Sequence, residues 1–195
     1  MANPLSKLLR QKGLECLLYL THPDNLRSIT QYGILSRGCV ERCGIRHEDI
    51  SNVEVQARRD REVFGRPLHD YIPLYMARRN PMLWTLRNLP RAYIRVSLEV
   101  ADKDGTAFSN CNASSYWARF YQGSSNIDQL PWDVILAPTW TQFPDGKRKR
   151  CAEVLVPEII EPSFILDIRC KYIEDDLVLP ECKSLLLIDH DFLKA

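Results

Sequence analysis

The 195-residue sequence is informative first for what it does not contain. No stretch approaches the roughly 20 apolar residues that cross a bilayer, so no membrane partner is expected. The opening Met1-Ala2-Asn3-Pro4-Leu5-Ser6-Lys7 has no apolar core and no small-residue cleavage site. A secretory signal is therefore not expected, and the reading is cytoplasmic. There is no Walker-A pattern and no G-x-G-x-x-G, so the familiar glycine cradles for phosphate are excluded. Charge of either sign is not in excess: 26 basic residues stand against 25 acidic ones, a net of +1. That balance excludes a nonspecific polycation.

The balance is an average over unlike halves. Residues 1–100 carry 16 basic and 10 acidic side chains, and residues 101–195 carry 10 and 15. Lysine is missing between Lys12 and Lys103, an interval that holds 13 arginines. Arginine binds phosphate through a planar fork and stacks on bases, whereas lysine is a hydrated point charge. Such a half fits a phosphate-rich ligand, although a solvated arginine surface would look the same.

Seven cysteines at irregular spacing, an odd number, point to reduced thiols. Cys39 and Cys43 are the only close pair. With His47 they would supply an incomplete zinc set, and no metal is expected.

A hydrophobic fraction of 45% suits one globular domain over residues 1–195. Leu17 to Leu20 reads as a strand. A helix capped by Thr21 or Asp24 runs to Tyr32 and closes at Gly33. Residues 36–52 read as irregular, and a short helix over 52–61 would carry Arg58, Arg59 and Arg61. Asp70 to Met76 reads as a strand that Pro73 confines to an edge or a bulge. Tyr93–Val100, Asp133–Leu136, Ala152–Val156, Ile159–Ile168 and Leu185–Ile188 read as further strands. Residues 114–122 read as a helix, and Lys147 to Arg150 as a basic loop. Mixed strands with few helices give the class α+β.

One acid stands out. Glu153 lies in Ala152-Glu153-Val154-Leu155-Val156, a strand otherwise wholly apolar. A buried carboxylate costs several kcal/mol unless it is paired, so it has a partner or a task; an outward-facing Glu on a half-exposed strand is the plainer alternative.

Five segments, in order, resemble the DarT family of nucleic-acid ADP-ribosyltransferase toxins. Leu18 to Leu26, followed by Ile29 and Gly33-Ile34-Leu35, resembles the family's Y-H-I-T-H-x-x-N-L…I…G-x-L block. Gln56-Ala57-Arg58-Arg59 resembles Q-x-R, and Asp70 to Leu83 resembles D-Y-V-P-F-Y-F-x-x-R-S-P-M-L. Phe108 to Ala113 resembles F-[ST]-D-G-[NH]-A, and Arg148 to Pro157 resembles R-x-x-A-E-F-L-V. Two departures are visible: Tyr19 stands where the family usually has the first His of H-x-T-H, and Asn110-Cys111 replaces Asp-Gly.

The resemblance implies an ADP-ribosyltransferase-like fold in which two small sheets form a cleft for bent NAD. It implies transfer of ADP-ribose to a base of single-stranded DNA, or of RNA, by a toxin or phage-defence effector opposed by an antitoxin protein. NAD is then the donor substrate. The resemblance gives Glu153 and Arg58 as catalytic residues, with Arg59 one step away as the alternative. It places Tyr19, Thr21, His22, Asn25, Gly33, Arg58, Arg59 and Tyr71 at NAD. It places Tyr75, Arg78, Arg79, Met82, Asn112, Lys147, Arg148, Lys149 and Arg150 at the nucleic acid. A module that has lost catalysis and a transferase acting on protein are the alternatives.

Overall fold

The computed structural model describes residues 4–50, 59–170 and 177–189. The chain opens with α1 (Leu5–Gln11), β1 (Leu17–Thr21), α2 (Leu26–Tyr32), β2 (Ile34–Leu35) and α3 (Arg37–Cys43). A hairpin, β3 (Glu62–Val63) and β4 (Arg66–Pro67), leads to β5 (Tyr71–Tyr75), α4 (Pro81–Thr85) and β6 (Ala92–Val96). Then come β7 (Ala107–Ser109), β8 (Phe120–Gln122), and the helical turns α5 (Trp132–Ile135) and α6 (Gly146–Lys149). The chain continues through β9 (Glu153–Pro157), β10 (Ile159–Ile160), β11 (Ile165–Cys170) and β12 (Leu186–Ile188).

Eight strands form one sheet in the order β12-β11-β6-β1-β5-β9-β7-β8. The join between its halves is narrow. β1 and β6 pair over five positions, and so do β5 and β9, but β1 meets β5 only at Leu18 and Tyr75. The sheet thus parts into two wings. Pro73 sits where β5 pairs with β9 and has left β1. A residue without an N–H is tolerated there because the strand is in effect an edge, although it is central in order.

The apolar faces close over a main core. Leu5 and Leu9 of α1, Leu26 and Ile29 of α2, Ile72 and Leu74 of β5, Ile94 and Val96 of β6, and Val154 and Val156 of β9 pack together. Gly33 ends α2 at φ +89°, and a Cβ there would lie 2.2 Å from the Ile160 carbonyl oxygen. Only glycine fits this combination of left-handed backbone and close approach.

Several local expectations are corrected. Residues 36–52 are not all irregular: Ser36 caps α3 by accepting from the Cys39 N–H, and Gly44 ends it in the left-handed region. Residues 114–122 turn and then form β8 rather than a helix. Trp132–Ile135 is a helical turn, not a strand. Tyr93–Val100 is strand only to Val96 and then a 3-10 turn. Pro162 breaks Ile159–Ile168 into β10 and β11. The basic loop includes the turn α6. The helix expected over 52–61 falls mostly on residues outside those described.

Candidate active site

The parting of the sheet creates a cleft. Tyr19, Thr21, Asn25, Gly33, Arg59, Tyr71, Tyr75, Met82, Asn112 and Glu153 all line it. Segments as far apart in the chain as Tyr19 and Glu153 therefore meet in one place, because β1, β5 and β9 are neighbours at the join.

Glu153 opens β9, with Tyr75 and Ser109 as its lateral partners. It is 1% exposed. Its Oε1 accepts from Asn112 Nδ2 at 3.2 Å and its Oε2 from the Ala113 N–H at 3.0 Å. Asn112 is itself oriented, since its Oδ1 accepts from the N–H and hydroxyl of Ser114. Burial raises the ionisation of Glu153 from the ordinary carboxylate value to about 7, while Arg59 and the Ala113 N–H pull it down. The plainer reading of an outward Glu is thus excluded by position.

Arg59 is a buried cation of this cleft. Its charge acts on Glu153, Tyr19 and Tyr75. Arg58, the preferred partner from sequence, lies outside the described residues. Tyr19 lines the wall with its hydroxyl pushed up to about 12 by burial, so it is a neutral hydrogen-bonding group near pH 7. Tyr71 is also neutral; its hydroxyl donates to the Val63 carbonyl.

Thr21 and Asn25 organise the opposite wall. Asn25 Nδ2 donates to Thr21 Oγ1 and to the Glu48 carbonyl, and its Oδ1 accepts from the Glu48 N–H. This clamp fixes residues 45–50, which line the cleft with His47, Glu48 and Asp49. Arg37 adds a 2.7 Å ion pair to Asp49. Sequence reading missed this wall, since nothing in residues 45–50 shows that Asn25 will bind them from 23 positions away.

The remaining expected residues separate into groups. His22 caps the turn at Pro23, with its Nδ1 accepting from the Asp24 N–H, and is not among the cleft-lining residues. Arg78 is exposed and pairs with Asp189, and Arg79 is exposed nearby. Lys147 and Arg148 line a second groove that shares Met82 with the cleft; Lys149 lines neither. Arg150 departs from the phosphate-binding role expected of it. It is buried, and its guanidinium donates to the carbonyls of Arg79, Val134, Ile135 and Ala137. Among the described residues, no three or more His, Cys, Asp or Glu side chains gather as a metal site. No described helix is long and apolar enough to cross a membrane.

A Thermosipho africanus protein described as a "DNA ADP-ribosyl transferase-DNA ADP-ribosyl glycohydrolase fusion protein" is 30% identical over 86% of this chain. The chain spans 45% of that protein. A "DNA ADP-ribosyl transferase" of Thermus sp. is 28% identical, covering 78% of this chain and 79% of its own length. The structure titled "Thermosipho africanus DarTG in complex with ADP-ribose" superposes with a TM-score of 0.76 at 26% identity, over 92% of this chain and 51% of that one. "Thermus sp. 2.9 DarT in complex with ADP-ribosylated ssDNA" shares the fold, with a TM-score of 0.74 at 24% identity over 92% and 96% of the two chains. The family described as "ssDNA thymidine ADP-ribosyltransferase, DarT" matches residues 18–176, and the chain belongs to that family.

Proposed function

We propose that this chain carries out its family's reaction, moving ADP-ribose from NAD to thymidine in single-stranded DNA, with Glu153 as the catalytic carboxylate. One observation carries the reading. A buried carboxylate, held by two donors and faced by a buried arginine, lies in the cleft where the sheet parts.

The chemistry suits these groups. Breaking the bond from nicotinamide to ribose leaves positive charge on the sugar, and a fixed carboxylate in a dry cleft stabilises it. Arg59 offers a fork for the NAD phosphates, and the resemblance gives the same role to Arg58. Thr21, Asn25 and Gly33 shape the NAD wall, with Tyr19 and Tyr71 as neutral aromatic surfaces. The flexible thioether of Met82 beside Tyr75 suits an unstacked base. In a nucleotide the only N–H of thymine is on its ring. That proton must leave as the new bond to ribose forms, and a carboxylate that ionises near 7 is matched to accept it.

The antitoxin expected from sequence is read here as a protein that removes or masks the mark. The Thermosipho relative, whose description joins a transferase to a glycohydrolase, supports this. A toxin acting on DNA works in the cytoplasm.

The test is incubation with NAD and a panel of DNA and RNA homopolymers. The proposal expects the mass of one ADP-ribose on thymidine-containing DNA, and Glu153→Ala should lose it. Modification by Glu153→Ala, or modification confined to RNA or protein, would overturn it.

A further inference from the structure

Beside the catalytic cleft runs a second, more open groove, lined by Pro81, Met82, Thr85, Trp117, Lys147 and Arg148. Met82 borders both, so the two adjoin. Trp117 is 66% exposed in the turn between β7 and β8, and Tyr116 meets it edge-on. Large aromatics left in water beside a site are unusual enough to need a reason. The Arg148 guanidinium lies 5.7 Å from the centre of the Trp117 ring. Asp145, also on this groove, takes one side of that guanidinium at 2.7 Å. Lys147 is exposed, with no ion pair among the described residues.

An exposed indole next to cations is a platform for a base with its phosphate. The turn that carries Trp117 also carries Asn112 and Ala113, the two groups that hold Glu153. A strand whose reactive base enters the cleft past Met82 would leave its adjoining nucleotide over this groove.

We propose that the groove binds the nucleotide adjacent to the modified one, with its base stacked on Trp117 and its phosphate held by Lys147 and Arg148. The proposal rests on the reading of single-stranded DNA as acceptor, and it adds a subsite where stacking, rather than base-edge hydrogen bonding, sets affinity.

The test uses the full chain and a fluorescently labelled thymidine-containing oligodeoxynucleotide, with binding read by anisotropy without NAD. Trp117→Ala should weaken binding about tenfold, and Trp117→Phe should keep most of it. The KM for the oligonucleotide should rise with Trp117→Ala while the KM for NAD stays unchanged. An oligonucleotide with abasic positions on both sides of the thymidine should bind wild type and Trp117→Ala alike. Equal binding of the intact oligonucleotide by wild type and Trp117→Ala would overturn the proposal. So would a loss that persists on the abasic strand, since the indole would then act only by bracing its own turn. Binding is read without turnover, so absence of transfer by wild type would fault the reaction and leave this result standing.

Discussion

Loss of water, more than any like charge, lifts the ionisation of Glu153 to about 7. The consequence for stability has a definite sign. A carboxyl whose ionisation is higher in the folded than in the unfolded chain binds more protons when folded, so stability falls as pH rises between the two values. The protein is expected to lose stability from about pH 4.5 to about pH 7 through this residue. Glu153→Gln removes the effect, and its melting temperature relative to wild type should rise across that window. Scanning calorimetry of both proteins reads the difference, and parallel curves would contradict it. Activity has the opposite slope, because the carboxylate is the working form. Transfer should climb with pH to a plateau above about 7, where Glu153→Gln should be lower by about a hundredfold or more, and the gap should narrow as pH falls. At this scale much was legible. One acid in an apolar strand marked Glu153, and the quoted blocks carried Asn112 and Arg59. The burial of Arg150 was not legible, because a run of four basic residues does not say which one turns inward.

A single turn, residues 110–119, connects catalysis to recognition at the scale of elements. Arg61 holds it, donating from Nη2 to the carbonyls of Ala113 and Ser115 while lying over the Phe120 ring at 4.6 Å. Arg61→Ala should loosen the Ala113 N–H from Glu153. Two effects follow: a rate loss on the order of ten- to a hundredfold, and a shift of the pH–rate midpoint to higher pH. A lower rate at an unmoved midpoint would count against this route. Gly33→Ala tests the other wall. Its φ of +89° and the Ile160 carbonyl leave no place for a methyl group, so unfolding should need about 2 kcal/mol less free energy in a urea titration. One element misjudged from sequence shows a long-range cause. Asp133-Val134-Ile135-Leu136 has β-branched residues and looks like a strand. The structure makes it a helical turn because buried Arg150 takes the carbonyls that the turn leaves open. Such long-range capping overrides local preference.

On the scale of the molecule, the parted sheet explains how a chain of net charge +1 can address nucleic acid. The wings bring Arg59 to the cleft floor, while Lys147 and Arg148 sit on the adjoining groove and Arg79 on the exposed turn before α4. Other arginines are occupied elsewhere: Arg95 and Arg169 pair with Asp167, and Arg78 and Arg169 with Asp189. Few cations are therefore left for the strand. Affinity for a single-stranded oligonucleotide should fall with salt, but with a shallow slope of log K on log salt, near −2 for about three neutralised phosphates. Lys147→Ala should flatten the slope by somewhat under one, whereas Arg95→Ala, which does not line the groove and is paired with Asp167, should leave it unchanged. Titrations between about 50 and 200 mM salt decide the matter. A slope several times steeper would mean that the arginine-rich half binds as a broad surface. A shallow one that responds to Lys147 alone of this pair would mean that charge acts only along the path from the groove to Glu153.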